Sequence, residues 1–357
     1  MVDGAAPLSL VHGRPVATLD GGVRAVIDTA GAAILMAQSA ADALDLQIIE
    51  TVEEHGEVFT VLEPPALSAS GYDLDTDGLP AYGFEDTRAV GLAASGLDMV
   101  LPATLLQRHA IVLDALGEGT VRFADAGTLV GAGVRVPVEF ELDSGLITVA
   151  CEILGSVCIL LLDTGVSCSL AADRVVRDWR DRAPDLAASA ASVGPGNMAG
   201  LRVEARTPMV RVPSLTTTGF VVPSVAFVWR ADGDVAPYDG SLGANVLRSF
   251  TVGIDHRRGE VWLDQREPIV GGDDTDQIGV TLVLDDDGEW EIGAVLLGTD
   301  GIEVGDRLVA VDGGPVSGVP LPDVLTALGG ATGQSHHLVL RRAEALVEAD
   351  ARVARVL

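Results

Sequence analysis

Short apolar runs, cut by glycines and charged turns, set the rhythm of this chain. Stretches such as "VRFAD" (121–125) and "GEVWL" (259–263) alternate apolar and polar positions, with turns at "EGT" and "RRGE". That period of two predicts strands rather than helices. Helical segments look short, as in "ATLLQRH" (103–109) and "ANVLRS" (244–249). Two apolar runs end unusually. "VRAVIDTAGAAILMA" (23–37) leads straight into Asp28-Thr29-Ala30-Gly31, and "CILLLDTGVSCSL" (158–170) into Asp163-Thr164-Gly165. A buried strand that delivers a carboxylate at its end needs a reason to do so, because an unpaired buried charge is costly.

The two runs belong to an internal repeat. Each is followed by a second matched segment, "GLDMVLPATLLQRHAIVLDALGEGTVRF" (96–123) in the first copy and "YDGSLGANVLRSFTVGIDHRRGEVWL" (238–263) in the second. Aligning Asp98 with Asp239 brings Leu101 onto Leu242, Ala103 onto Ala244, Leu106 onto Leu247 and Asp114 onto Asp255. Each copy then closes with a glycine and a short apolar strand. The expectation is a duplicated, β-dominated architecture.

At these residues the chain resembles the pepsin/retropepsin superfamily of aspartic proteases. "LLLDTGVS" is similar to that family's catalytic signature, and "DGSLGANVLRSFTVGIDHRRGEVWL" to its later segment. The resemblance covers roughly residues 10–265 and implies two pseudo-symmetric lobes, 1–130 and 131–266, each giving one aspartate. It implies Asp28 and Asp163 as the catalytic pair, with Thr29 and Thr164 bonding across the lobe junction. Ala30 and Gly165 would keep the turns small enough for backbone N–H groups to approach the carboxylates. Two carboxyls sharing a proton supply both a base for water and an acid for the leaving group; pepsin is the standard example of such a pair. No metal or cofactor is implied. A mobile hairpin over the cleft is expected at "ASVGPGNMAGLRVEA" (191–205), around Gly194, Gly196, Asn197 and Met198, and at "TVEEHGEVFTVL" (51–62), around His55 and Gly56. The first unit departs from the family pattern at Ala30, and at Pro102, which stands where the second unit has Gly243. Proline lacks an N–H and fixes φ, so the first loop either detours or supports catalysis less well. A peptide-binding pseudoprotease or adaptor is therefore the alternative to an endopeptidase. Ser167 and Cys168 follow the second motif, but no nearby histidine in sequence would activate either.

After Asp264 the texture changes. "DQREPIVGGDDTDQ" reads as a linker, and the following stretch is similar to a bacterial-type PDZ domain over 275–345, carried by "GIEVGDRLVAVDGGPV" (301–316). A helix at "PLPDVLTALGG" and a strand at "SHHLVLRR" follow. The resemblance implies binding of a peptide C-terminus by strand addition, with Ile278-Gly279-Val280 as the carboxylate loop. The acidic run Asp285-Asp286-Asp287 reads as a solvated turn, and neither His336 nor His337 has a plausible catalytic partner. "AEALVEADARVARVL" reads as an amphipathic helix, assigned to 346–357, packed on a neighbour or serving as a dimer contact.

Composition narrows the partners. The chain has 357 residues, 52 acidic against 23 basic side chains, and a net charge of −29, with no lysine. Such a surface repels nucleic acid and anionic membranes, leaving a peptide or protein substrate and a monomer or weak homodimer. No apolar stretch is long enough to span a bilayer. The start "MVDGAAPLSLVHGRPV" lacks the marks of a secretory signal, so a cytoplasmic location is expected, or an extracytoplasmic one if the chain is trimmed at its front. The three cysteines, Cys151, Cys158 and Cys168, are too few for a disulfide framework and read as buried thiols.

Overall fold

The computed structural model describes residues 3–11, 13–54, 57–85, 92, 95–128, 131–189, 208–265, 276–285, 287–295 and 299–355. Strand makes up 51% of the structure and helix 13%, so the class is β-dominated, as the period-two patterning predicts.

The repeat is realised bond by bond. In the first unit strand Arg24–Ile27 lies parallel to Met99–Leu101, which pairs antiparallel with Ile34–Ala37. In the second unit Ser156–Leu162 lies parallel to Gly240–Leu242, which pairs antiparallel with Ser169–Ala172. The Asp98 carboxylate accepts from the Arg24 N–H at 2.7 Å, and Asp239 accepts from the Ile159 N–H at 2.8 Å. Each clamps its strand four residues before the motif aspartate. The aligned aspartates are therefore backbone anchors, which satisfy strand N–H groups that would otherwise be stranded. Beyond the motif, helix Gln38–Ala43 follows the first unit's strand and helix Asp173–Arg182 the second's. The latter buries Val175, Val176 and Trp179 on one face, a spacing that marks an amphipathic helix.

The two units are joined by a shared sheet. Strands Phe250–Asp255 and His109–Asp114 pair antiparallel, with Ala110 opposite Asp255 and Leu113 opposite Val252. Here lie the other aligned pair of aspartates. Asp114 accepts from the N–H groups of Gly117 and Glu118 and from Thr251 Oγ1. Asp255 is fully buried and accepts from the N–H groups of Gly127 and Arg258. Both tie turns of one unit to the other. Beneath them Ile27, Ile34, Leu101, Leu162 and Leu242 are all buried in one apolar cluster spanning the two units. Burying each such side chain contributes about 1.5–3 kcal/mol.

Residues 280–352 form a separate sheet with strand order Val280–Leu284, Trp290–Val295, Arg307–Val311, Ser335–Arg342, Ala345–Arg352, with Gly314–Pro315 paired onto Arg307–Val311. Helix Leu321–Leu328 contributes Leu321, Val324, Leu325 and Leu328 to a core distinct from the first. The buried Asp306 carboxylate receives two bonds from the Arg342 guanidinium, at 2.8 Å each. The acidic turn is held by Arg307, which pairs with both Asp285 and Asp287 at 2.6 Å.

The C-terminal helix expected at 346–357 is not formed. Ala345–Arg352 is a strand paired along its length with Ser335–Arg342, and Ala354–Arg355 pairs with Asp276–Gln277. Ala349, Ala351 and Val353 point inward while Glu348, Asp350, Arg352 and Ala354 are exposed. That is period two, and the hairpin through Ala343 at φ 51° delivers the segment straight to an open sheet edge. Eight paired residues outweigh the helix propensity of alanine and leucine.

Candidate active site

Asp28 follows strand Arg24–Ile27 and Asp163 follows Ser156–Leu162, and each is received by the neighbouring strand. The Asp28 N–H donates to Leu101 O at 3.0 Å and the Asp163 N–H to Leu242 O at 3.1 Å. Three residues on, the loops are pinned again: the Ala103 N–H reaches Gly31 O at 2.8 Å, and the Ala244 N–H reaches Val166 O at 2.9 Å. Each carboxylate also caps its own turn. Asp28 Oδ1 accepts from the Ala30 N–H at 2.9 Å, and Asp163 Oδ1 from the Gly165 N–H at 3.1 Å.

The two loops meet through their threonines. Thr29 Oγ1 donates to Leu162 O at 2.6 Å, and Thr164 Oγ1 donates to Ile27 O at 2.5 Å. In return the Thr29 N–H donates to Thr164 Oγ1 at 3.2 Å, and the Thr164 N–H to Thr29 Oγ1 at 3.1 Å. Both threonines are buried. Each hydroxyl therefore makes two bonds to the backbone of the opposite unit, one donated and one accepted. Leaving any of these buried groups unmatched costs about 1–3 kcal/mol, so the pair behaves as a lock.

Gly165 shows how closely the second loop approaches Asp28. A Cβ built on it would lie 2.3 Å from Asp28 Cγ and 2.5 Å from each Asp28 carboxylate oxygen. Only glycine fits there, and its own N–H already bonds Asp163. Gly31 is nearly as tight, since a Cβ would lie 2.9 Å from Asp28 Oδ2. Ala30, at the position matching Gly165, carries its methyl without obstruction of the turn bond to Asp28. The detour expected at Pro102 does not occur either. Pro102 has φ −81° and ψ 164°, and Gly243 has φ −85° and ψ −178°, so both are extended. Proline's fixed φ suits that geometry. Glycine is required in the second unit because a Cβ on Gly243 would lie 2.7 Å from backbone of both Cys168 and Ser169.

Burial and proximity shape the acidity of the pair. Asp163 is 7% exposed; burial pushes its carboxyl up to about 8, and the Asp28 charge pushes the same way. The Ser241 hydroxyl and the N–H groups of Gly165 and Val166 pull it back. Burial also raises Asp28, against the pull of the Ala30 and Gly31 N–H groups and of the Arg14 charge. Two neighbouring carboxyls raised by burial hold one proton between them over a wide range.

Other expected site residues fall elsewhere. The candidate hairpin tips, His55 and Gly56 in one unit and Gly194, Gly196, Asn197 and Met198 in the other, lie outside the described residues. Their flanks are described. Ile48–Glu54 pairs antiparallel with Glu57–Leu62, and Ala188–Ser189 pairs with Met209–Thr217. Ile278 and Val280 are buried in the second core, and Gly279 turns the chain at φ 66° into strand Val280–Leu284. Cys168 donates its thiol to Ala226 O at 3.3 Å. Cys151 and Cys158 face each other across their strands, with burial raising the thiols to about 12 and about 11. Such thiols are not nucleophiles at neutral pH. Sequence reading missed Arg14 and Ser241. Each is a polar residue inside an apolar stretch, "LSLVHGRPVATL" and "DGSLGANV", and that intrusion was the available signal.

No helix among the described residues is long and apolar enough to cross a membrane. No family model matches the chain, and no curated protein matches it either. Among solved structures, the crystal structure of basic 7S globulin from soybean is similar at a TM-score of 0.38 and 13% identity, over 74% of this chain and 95% of that one.

Proposed function

We propose that this chain is a two-aspartate endopeptidase of the pepsin/retropepsin type, with Asp28 and Asp163 as its catalytic pair and a PDZ-like peptide-binding module after residue 275. The observation that carries the reading is the reciprocal Thr29–Thr164 bonding, which joins the loops that carry the two strand-end carboxyls, with Gly165 pressed against Asp28. A peptide carbonyl entering above the pair meets a water held between the carboxyls. The ionised carboxyl takes a proton from that water as its oxygen attacks the carbonyl carbon. The protonated one gives its proton toward the departing nitrogen, so the C–N bond breaks and the proton count closes. No cofactor enters.

The acid–base requirement sets the pH range. One carboxyl must be ionised and the other protonated; burial raises Asp28, and Asp163 is raised to about 8, so cleavage sets in as the first carboxyl ionises and fades as pH rises through about 8. The binding-only alternative draws on Ala30 and Pro102, and neither disturbs its loop: Ala30 keeps its bond to Asp28, and Pro102 shares the extended backbone of Gly243. For the C-terminal module, support comes from strand Val280–Leu284. It lies at the end of the strand order and is entered by the Ile278-Gly279-Val280 turn; strand addition uses such an edge.

Digestion of a mixed peptide library at several pH values, with and without pepstatin, tests the reading. Pepstatin-sensitive cleavage that vanishes in both Asp28→Asn and Asp163→Asn is the expected result. Peptides bound but left intact by the wild type would instead establish the binding-only alternative.

A further inference from the structure

The two aspartates do not have equal surroundings. Strand Arg14–Thr18 runs antiparallel to Arg24–Ile27, with Val16 opposite Val26. The bonded pairs end there; carried two residues further, past the end of strand Arg24–Ile27, the same register puts Arg14 across from Asp28. Opposed residues of an antiparallel pair project to the same face, and Val16 and Val26 pack in one cluster. Arg14 thus shares the face of Asp28. It is 1% exposed and among the largest fully buried side chains. Its Nε donates to Val11 O at 3.4 Å, while Nη1 is buried without a hydrogen-bond partner.

A guanidinium placed so deep, and left with an unmatched donor, is costly unless its charge has a use. Burial draws Arg14 down only to about 9, with the Asp28 charge opposing, so it remains a cation at neutral pH. The second unit has no counterpart. There Thr148 stands opposite Leu161, and the same two steps set Leu146 opposite Asp163. The groups facing Asp28 are Arg14 from its partner strand, Asp163 from the other unit, the Ala30 and Gly31 N–H groups, and Gly165. Arg248 lies one residue further off, with Nη1 3.4 Å from where a Cβ on Gly13 would be. Asp163 faces Asp28, the Ser241 hydroxyl and backbone N–H groups.

We propose that Arg14 is a positioning residue that keeps the negative charge of the pair on Asp28, making Asp28 the base for water and Asp163 the proton donor. This rests on the two-aspartate reading above. In a symmetric pair the charge would divide between the carboxyls; here a buried cation on one side removes the degeneracy.

The test uses the full chain as wild type, Arg14→Met and Arg14→Lys. Carboxyl-carbon NMR titration follows Asp28 and Asp163, assigned through Asp28→Asn and Asp163→Asn, and needs no substrate. In the wild type Asp28 is expected to ionise first, while Asp163 keeps its proton through neutrality. In Arg14→Met the Asp28 midpoint should rise by about one unit, and Arg14→Lys should restore most of the wild-type value. The acid limb of the kcat/KM profile should move up by the same amount, a roughly tenfold loss of activity below it. Wild-type Asp163 ionising first would overturn the assignment, whether or not the variants fold. So would unchanged midpoints in a folded Arg14→Met. If the titration comes out as expected but no peptide is cut, the peptidase reading fails and the charge assignment stands.

Discussion

The first and second units follow the same chain path and fill it differently. Shared between them is a frame of backbone bonds: Asp98 and Asp239 at the strand starts, Leu101 and Leu242 receiving the motif aspartates, Ala103 and Ala244 pinning the loops. What differs is the packing around that frame. Where the second unit has Ser169, bonded to Asn245 Oδ1 and to the Gly243 N–H, the first has the buried apolar Ile34. Gly165 is matched by Ala30, Gly243 by Pro102, and Leu146 by Arg14. A duplicated fold thus keeps the hydrogen bonds that no side-chain change can replace and lets the volume around them drift. The asymmetry gathers around Asp28, which has the opposite glycine against it and feels the charge of a buried arginine.

The comparison is broken most severely at the aspartates. Asp28→Asn and Asp163→Asn should each lower kcat/KM for a cleaved peptide by ~10³-fold or more, with the fold retained by circular dichroism. An effect at one site alone would show that the units are not chemical partners. Next comes the matched pair Gly165→Ala and Ala30→Gly. The first drives a methyl into the Asp28 carboxyl and should reduce kcat/KM by about 100-fold, as a displacement of an ångström can. The second should leave cleavage within about twofold and lower stability by ~0.5–1 kcal/mol through backbone entropy.

Stability against pH sharpens the contrast further. Asp163 binds its proton more tightly when folded than when unfolded, so the folded state holds more protons between the ordinary carboxylate range and about 8. Stability must then fall as pH rises through that window. Asp163→Asn should reduce the fall, gaining on the order of a few kcal/mol at its upper end by the same linkage, measured as denaturant midpoints at a series of pH values. A further contrast in stability is expected at the loop turns. Gly243→Ala meets backbone and should destabilise by ~1–3 kcal/mol, whereas Pro102→Ala should cost less than half of that free energy, both read from denaturant midpoints.

Much of this was legible in the chain. Period-two runs predicted strands, the paired Asp-Thr turns predicted the two loops, and the alignment of Asp98 with Asp239 and Asp114 with Asp255 marked residues that carry equivalent bonds. The misread tail shows the limit. "ALVEADARV" suits a helix by composition and a strand by alternation, and the open edge of Ser335–Arg342 decided between them.

Local pattern along the chain dictates the strands and the turns that need small residues, because those depend on neighbours a few residues apart, and the doubled plan is written in the repetition of that pattern. Only the fold sets that Thr29 and Thr164, 135 residues apart, lock the seam, that the Asp28 carboxyl fills the space a Cβ on Gly165 would need, and that the charge of buried Arg14 bears on Asp28. Acidity and contact across a seam are set by what excludes water and by which charges come near, and both are fixed by groups far away in the chain.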